Sequence, residues 1–189
     1  MNFIQKALRW IEYGDYTPVI KYGVVYSRKI GREQFSLAPE LLQGQKDWIL
    51  RLDLNQRYGG NHNRTIIDCH FRALSEISRP IRQLLDDVRT GVTQPNDTVK
   101  TGTIDKWLLS FTTGQILRSY GRIDHDPRRE GRFRIELFLS WDGQQYWLLL
   151  KEWEGSGEWS HWPIGLVEEL HHLFPEIEDT ITERSVSAT

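Results

Sequence analysis

The stretch from Phe133 to Trp153 constrains the fold more than any other part of the chain. Trp141-Asp142-Gly143-Gln144 places an Asp-Gly pair between two strand-like runs, and that pair accepts the positive φ angles a tight hairpin demands. On the first strand Phe133, Ile135, Leu137, Leu139 and Trp141 share one face. A two-residue turn sets Leu139 opposite Tyr146, Leu137 opposite Leu148 and Ile135 opposite Leu150, so this face is apolar on both strands and belongs in a core. The other face carries Arg132, Arg134, Glu136, Phe138 and Ser140 beside Trp147, Leu149, Lys151 and Trp153, a mixture of aromatic and charged groups.

Further strands follow from composition. Val19 to Tyr26 is rich in β-branched and aromatic residues, and a second strand lies around Phe35 and Leu37, with Pro39 expected to end it. Trp48, Leu50, Leu52 and Leu54 alternate with Asp47, Arg51 and Asp53, the period of a strand with one wet face. Arg57 to Asn63 is a turn or loop, Thr65 to Phe71 another strand, and Trp107 to Phe111 and Gln115 to Ile123 two more. Helical spacing predicts helices near 3–13, 74–89 and 163–174, with Pro80 either kinking the second or delaying its start to Ser78, and Pro163 in the first turn of the third. The fold class is therefore α+β, a mainly antiparallel sheet or two small sheets, flanked by three or four helices. A length of 189 residues suits one domain, 1–189. Its lobes are expected at 1–90 and 104–178, joined by the threonine-rich linker 91–103, with 179–189 as a flexible tail.

Cys69 is the one cysteine, so no intramolecular disulfide forms, and a reducing, cytoplasmic setting is expected. No apolar run approaches the roughly 18 residues a membrane-spanning helix requires, and a membrane partner is not expected. Charge is uneven: from Glu152 onward nine acids face Arg184 alone, a net of −8, which leaves +6 on residues 1–151 of a chain that carries −2. Such asymmetry suits either an anionic partner for the body or an acidic end that screens it.

Catalytic chemistry finds little support in the spacing of residues. His62, Asp68 and His70 are ligand types for a hydrolytic metal, as is His125 between Asp124 and Asp126, yet no His-x-x-x-His or Glu-x-x-His pattern completes a set. No lysine has Asp or Glu two residues before it, which disfavours nucleases that pair an acid with lysine on one strand face. Glycine-rich phosphate loops and the Gly-x-Ser-x-Gly elbow are missing. Cys69 and His70 are neighbours on a strand and point to opposite faces, so they form no nucleophile–base pair. No cofactor is implied.

The candidate binding surface is the mixed hairpin face with its preceding loop: Arg118, Arg122, Arg128, Arg129, Arg132, Arg134, Trp147, Lys151 and Trp153. Arginine makes bidentate contacts to phosphate, and exposed tryptophan stacks on bases. The competing arrangement roofs Trp147 and Trp153 with the final helix and leaves no such surface. Three functions stay open: a non-catalytic intracellular binding or regulatory module contacting a protein partner or its own copy, a nucleic-acid-binding protein screened by its acidic C-terminal segment, and a metal-dependent hydrolase.

Overall fold

A computed structural model describes Gln5 and residues 13–92, 115–124, 134–152 and 159–187, and it divides the chain into two compact units, 1–73 and 74–189. The helix expected at 3–13 falls outside the described residues except for Gln5 and Tyr13, both helical. The strand expected at 107–111 and the linker at 93–103 also fall outside them.

The first unit is a five-stranded antiparallel sheet of β1 (Thr17–Lys21), β2 (Tyr26–Ile30), β3 (Glu33–Gln43), β4 (Trp48–Tyr58) and β5 (Asn61–Phe71). The order is β1-β3-β4-β5, with β2 sharing the outer edge of β3. The expected Val19–Tyr26 strand is thus two short strands, separated where Gly23 takes a φ of 70°. Strand β3 runs straight through Pro39, contrary to expectation. The Pro39 carbonyl accepts from the Tyr22 N–H at 3.1 Å. A residue's N–H and C=O point to the same side of a strand, so the donor that proline lacks faces the gap between β1 and β2 and costs the β4 ladder nothing. Residues 57–63 are likewise mostly strand, because β4 and β5 meet at Tyr58 and Asn61 across Gly59 and Gly60 alone.

Alternation sorts this sheet cleanly. Phe35, Leu37, Leu41, Leu50, Leu52, Leu54, Cys69 and Phe71 occupy one buried face. The opposite face carries Gln34, Ser36, Glu40, Arg51, Asp53, Asn55, Arg57, His62, Arg64, Asp68 and His70. Among the described residues, Tyr13 and Tyr16 cover one end of it, packed on Leu42 and Ile49.

The second unit holds α1 (Ser75–Thr90), then β6 (Gln115–Asp124), β7 (Arg134–Trp141), β8 (Tyr146–Glu152) and β9 (Trp159–Pro163) in a four-stranded antiparallel sheet of that order. Helix α2 (Ile164–His172) and helix α3 (Phe174–Ser187) close the chain. Helix α1 buries Ile77, Ile81, Leu84 and Leu85, and ends at Gly91 in the left-handed conformation. It starts at Ser75, not Ser78; Pro80 forfeits one bond to the Glu76 carbonyl without delaying the first turn, where Ser78 N–H already reaches the Leu74 carbonyl. This helix packs against β6 and α2 within the second unit.

The α+β class with antiparallel sheets holds, but three or four separate flanking helices are not borne out among the described residues. Among the described residues helical structure amounts to α1 and one C-terminal stretch broken at Leu173, where Pro175 can restart a helix because its first turn needs no such donor. Residues 179–187 continue that helix. No described helix is long and apolar enough to cross a membrane.

Candidate functional site

The hairpin of β7 and β8 pairs Trp141 with Tyr146 and Leu139 with Leu148, across the four residues Asp142–Gln145. The register differs by two residues from a two-residue turn, which leaves the allocation of faces unchanged. The turn is longer because Asp142 holds it: its carboxylate accepts from the N–H groups of Gln144 and Gln145 at 2.8 Å and from the Trp147 indole at 2.7 Å. Burial pushes the Asp142 carboxyl upward, yet these three donors outweigh it and hold it below the usual range.

That indole bond also removes the tryptophan from the expected contact surface. Trp147 is 6% exposed, edge-on to His161 at 5.3 Å between ring centres, and Phe138 and Leu149 on the same face are buried as well. Both faces of the hairpin are sealed, contrary to an outward-facing arginine–tryptophan side. Arg118 bonds Asp87 of α1, which also accepts from the Tyr120 hydroxyl at 2.6 Å; burial and that bond push the Tyr120 phenol up. Arg122 lies 4.0 Å from Glu136. Lys151 is half-buried opposite Glu136, and Arg134 is placed in β7 opposite Asp124. Arg128, Arg129, Arg132 and Trp153 lie outside the described residues.

The metal candidates are not gathered. His62 and His70 are eight residues apart on one strand, about 26 Å along it. His62 bonds the Asn55 amide oxygen at 3.0 Å, Asp68 makes a two-pronged ion pair with Arg51 at 2.7 and 2.8 Å, and His70 sits with Asp47 and the Tyr16 hydroxyl. His125 is outside the described residues. Among them, no three His, Cys, Asp or Glu side chains lie close enough to hold a metal. Cys69 is buried on the core face, and burial followed by the Asp68 charge pushes its thiol up to about 12.

The polar face of the first unit has two parts. Along its middle every charge has an opposite: Lys21 with Glu40 at 2.9 Å, Arg51 with Asp68, and Arg64 with Asp53 at 2.7 Å. The Arg51 guanidinium also lies over the Tyr13 ring. At the end where the β2–β3 and β4–β5 turns meet, this pairing stops. Ile30 opposes Glu33 and Glu33 opposes Tyr58, so both turns share one end of the sheet. At that end Lys29 and Arg57 are exposed on the polar face, Arg32 in the β2–β3 turn, and Arg28, opposite Phe35, at the rim of the other face; none pairs with a carboxylate among the described residues. The local acid, Glu33, is buried and taken by the Gln56 amide. Register aligns Lys29, Gln34, Arg57 and His62 in one row across four strands, about 15 Å long.

These four cations are the residues that sequence reasoning missed. The signal available was that neither the β2–β3 turn nor the β4–β5 turn carries an exposed acid. Their convergence depends on the 11-residue register of β3 against β4.

No family model matches the chain, and no curated protein matches it in sequence. Among solved structures, it is similar to the plant transcriptional regulator PBF-2 at 16% identity, over 90% of this chain and 87% of that one, with a TM-score of 0.45.

Proposed function

We propose that this protein is a non-catalytic binding module that takes nucleic acid on the turn end of its five-stranded sheet. The observation that carries the proposal is the row and rim of exposed cations, Arg28, Lys29, Arg32 and Arg57, beside a middle in which like groups are all paired. Paired cations hold a sheet together, whereas unpaired ones on a rigid edge attract phosphate and release its counterions on binding. The first unit as a whole carries eleven basic against seven acidic side chains, +4, and the second thirteen against nineteen, −6. The field therefore favours an anion on the first unit. A buried thiol and buried or side-chain-bound histidines support a binding role over a catalytic one.

Fluorescence anisotropy with a labelled single-stranded oligonucleotide tests this. Four phosphate contacts predict a slope of about −3 for log K against log salt. Joint replacement of Arg28, Lys29, Arg32 and Arg57 by Ala should abolish binding while leaving the melting temperature close to wild type, since all four are exposed. Equal binding by that variant, or none by the wild type at low salt, would refute the proposal.

A further inference from the structure

We propose that β5 pairs antiparallel with the β5 of a second copy of this chain, joining two five-stranded sheets into one continuous sheet. This goes beyond the nucleic-acid proposal and does not depend on it.

The argument begins with which sheet edges invite a partner. An open edge is a row of unused N–H and C=O groups, and proteins blunt such edges with short strands, prolines or bulges. The other edge strands here are short or broken. Strand β1 has five residues, Pro18 and a break in register; β2 has five; β9 has five and ends in Pro163; β6 shifts register twice, between Ile116 and Arg118 and between Ser119 and Arg122. Strand β5 has none of these devices. It runs 11 residues, contains no proline, keeps unbroken register against β4, and pairs with no other strand among the described residues.

The outward groups of β5 are identifiable. Tyr58 and Asn61 flank a two-residue turn and form the first hydrogen-bonded pair, so His62, Arg64, Ile66, Asp68 and His70 direct their backbone groups away from β4. Their side chains share the polar face. Ile66, at the centre of this set, is 50% exposed, one of few large apolar side chains open to water among the described residues.

The sequence of that edge commits to a second copy. A two-fold axis at Ile66 sets Ile66 against Ile66 of the other copy, Arg64 against its Asp68 and Asp68 against its Arg64, with His62 and His70 opposite each other at the flanks. Every outward backbone group then meets an outward group, as an antiparallel ladder requires. The charges extend the existing pairs, Arg51 to Asp68 and Arg64 to Asp53, into an alternating row through both sheets. Centring the axis two residues away in either direction would oppose Arg64 to Arg64 or Asp68 to Asp68, and like charges directly opposite are unfavourable. The charged residues that would ordinarily guard this edge are placed so that they accept its copy.

Sedimentation equilibrium of the full chain provides the test. Wild type should show a monomer–dimer equilibrium. Ile66→Lys and Ile66→Glu should each weaken self-association by roughly tenfold or more, because each sets two like charges across the axis. Mixing the two variants should restore a dimer, which requires residue 66 to face residue 66. A monomeric wild type, a dimer indifferent to Ile66→Lys, or variants that fail to rescue each other would overturn the proposal. Amide exchange of the wild type supplies a check free of mutation: raising concentration should protect the N–H groups of Arg64, Ile66 and Asp68. Dimer formation without that protection would also overturn it.

Discussion

The two sheets of this molecule solve the same problem in different ways. In the first unit, β3, β4 and β5 run 11 residues each in uninterrupted register, with one face buried and the other wet. In the second, β7 and β8 are short and largely buried on both faces, and β6 alongside them is broken by shifts in register. A sheet wet on one side must supply polar partners for its exposed residues and can leave some cations unpaired. A sheet sealed on both sides spends its polar groups internally, as Asp142 does on the turn and on Trp147. The proposed binding surface accordingly lies on the first unit, although the second carries more arginines.

The strongest way to break this comparison is to truncate Trp147. If its face is sealed, Trp147→Ala should destabilise the protein by about 3–5 kcal/mol in urea unfolding, the cost of emptying a packed aromatic site. A loss below about 1 kcal/mol would mean that the second sheet also has an open face.

A smaller effect is expected at Asp142. Asp142→Ala removes three accepted hydrogen bonds and should cost about 1–3 kcal/mol at neutral pH. Its folded pKa is held below the unfolded value, so the stabilisation is present above the usual carboxylate range and is lost as pH falls through the folded pKa. Melting curves of wild type and variant should therefore converge on acidification. A gap that stays constant to low pH would show that the carboxylate charge is not what holds the turn.

The difference between the sheets also explains what could be read from the chain. Trp48, Leu50, Leu52 and Leu54 announce their strand because water on the far side forces polar residues between them. Trp147, Leu148, Leu149 and Leu150 have no wet side, and period-two reasoning assigns Trp147 outward by parity alone. The Asp-Gly pair located the hairpin, but the turn length depended on hydrogen bonds from Gln144, Gln145 and Trp147 that converge only in three dimensions. Helix α1 was legible from Ile77, Ile81, Leu84 and Gly91, whereas β9 was hidden: Trp159 to Pro163 is five residues long and ends in a proline that also precedes α2. Arg28, Lys29, Arg32 and Arg57 were visible one by one, and only the register of β2, β3 and β4 brings them to one end of the sheet.

The smallest expected effect concerns the acidic end of the second unit. Glu178, Asp179 and Glu183 are exposed on α3, so neutralising all three to amides should change stability by no more than about 0.5 kcal/mol. Long-range repulsion of a polyanion would fall, and oligonucleotide affinity should rise by about twofold at low ionic strength and not at high. An increase that persists in high salt would indicate a direct contact instead of a field.

The central claim, that the turn end of the five-stranded sheet receives nucleic acid, is tested most directly by amide hydrogen exchange with and without a single-stranded oligonucleotide. Exchange should slow in residues 26–34 and 55–63 and remain unchanged in 134–152. Protection confined to the second unit, or no change in either, would contradict the account.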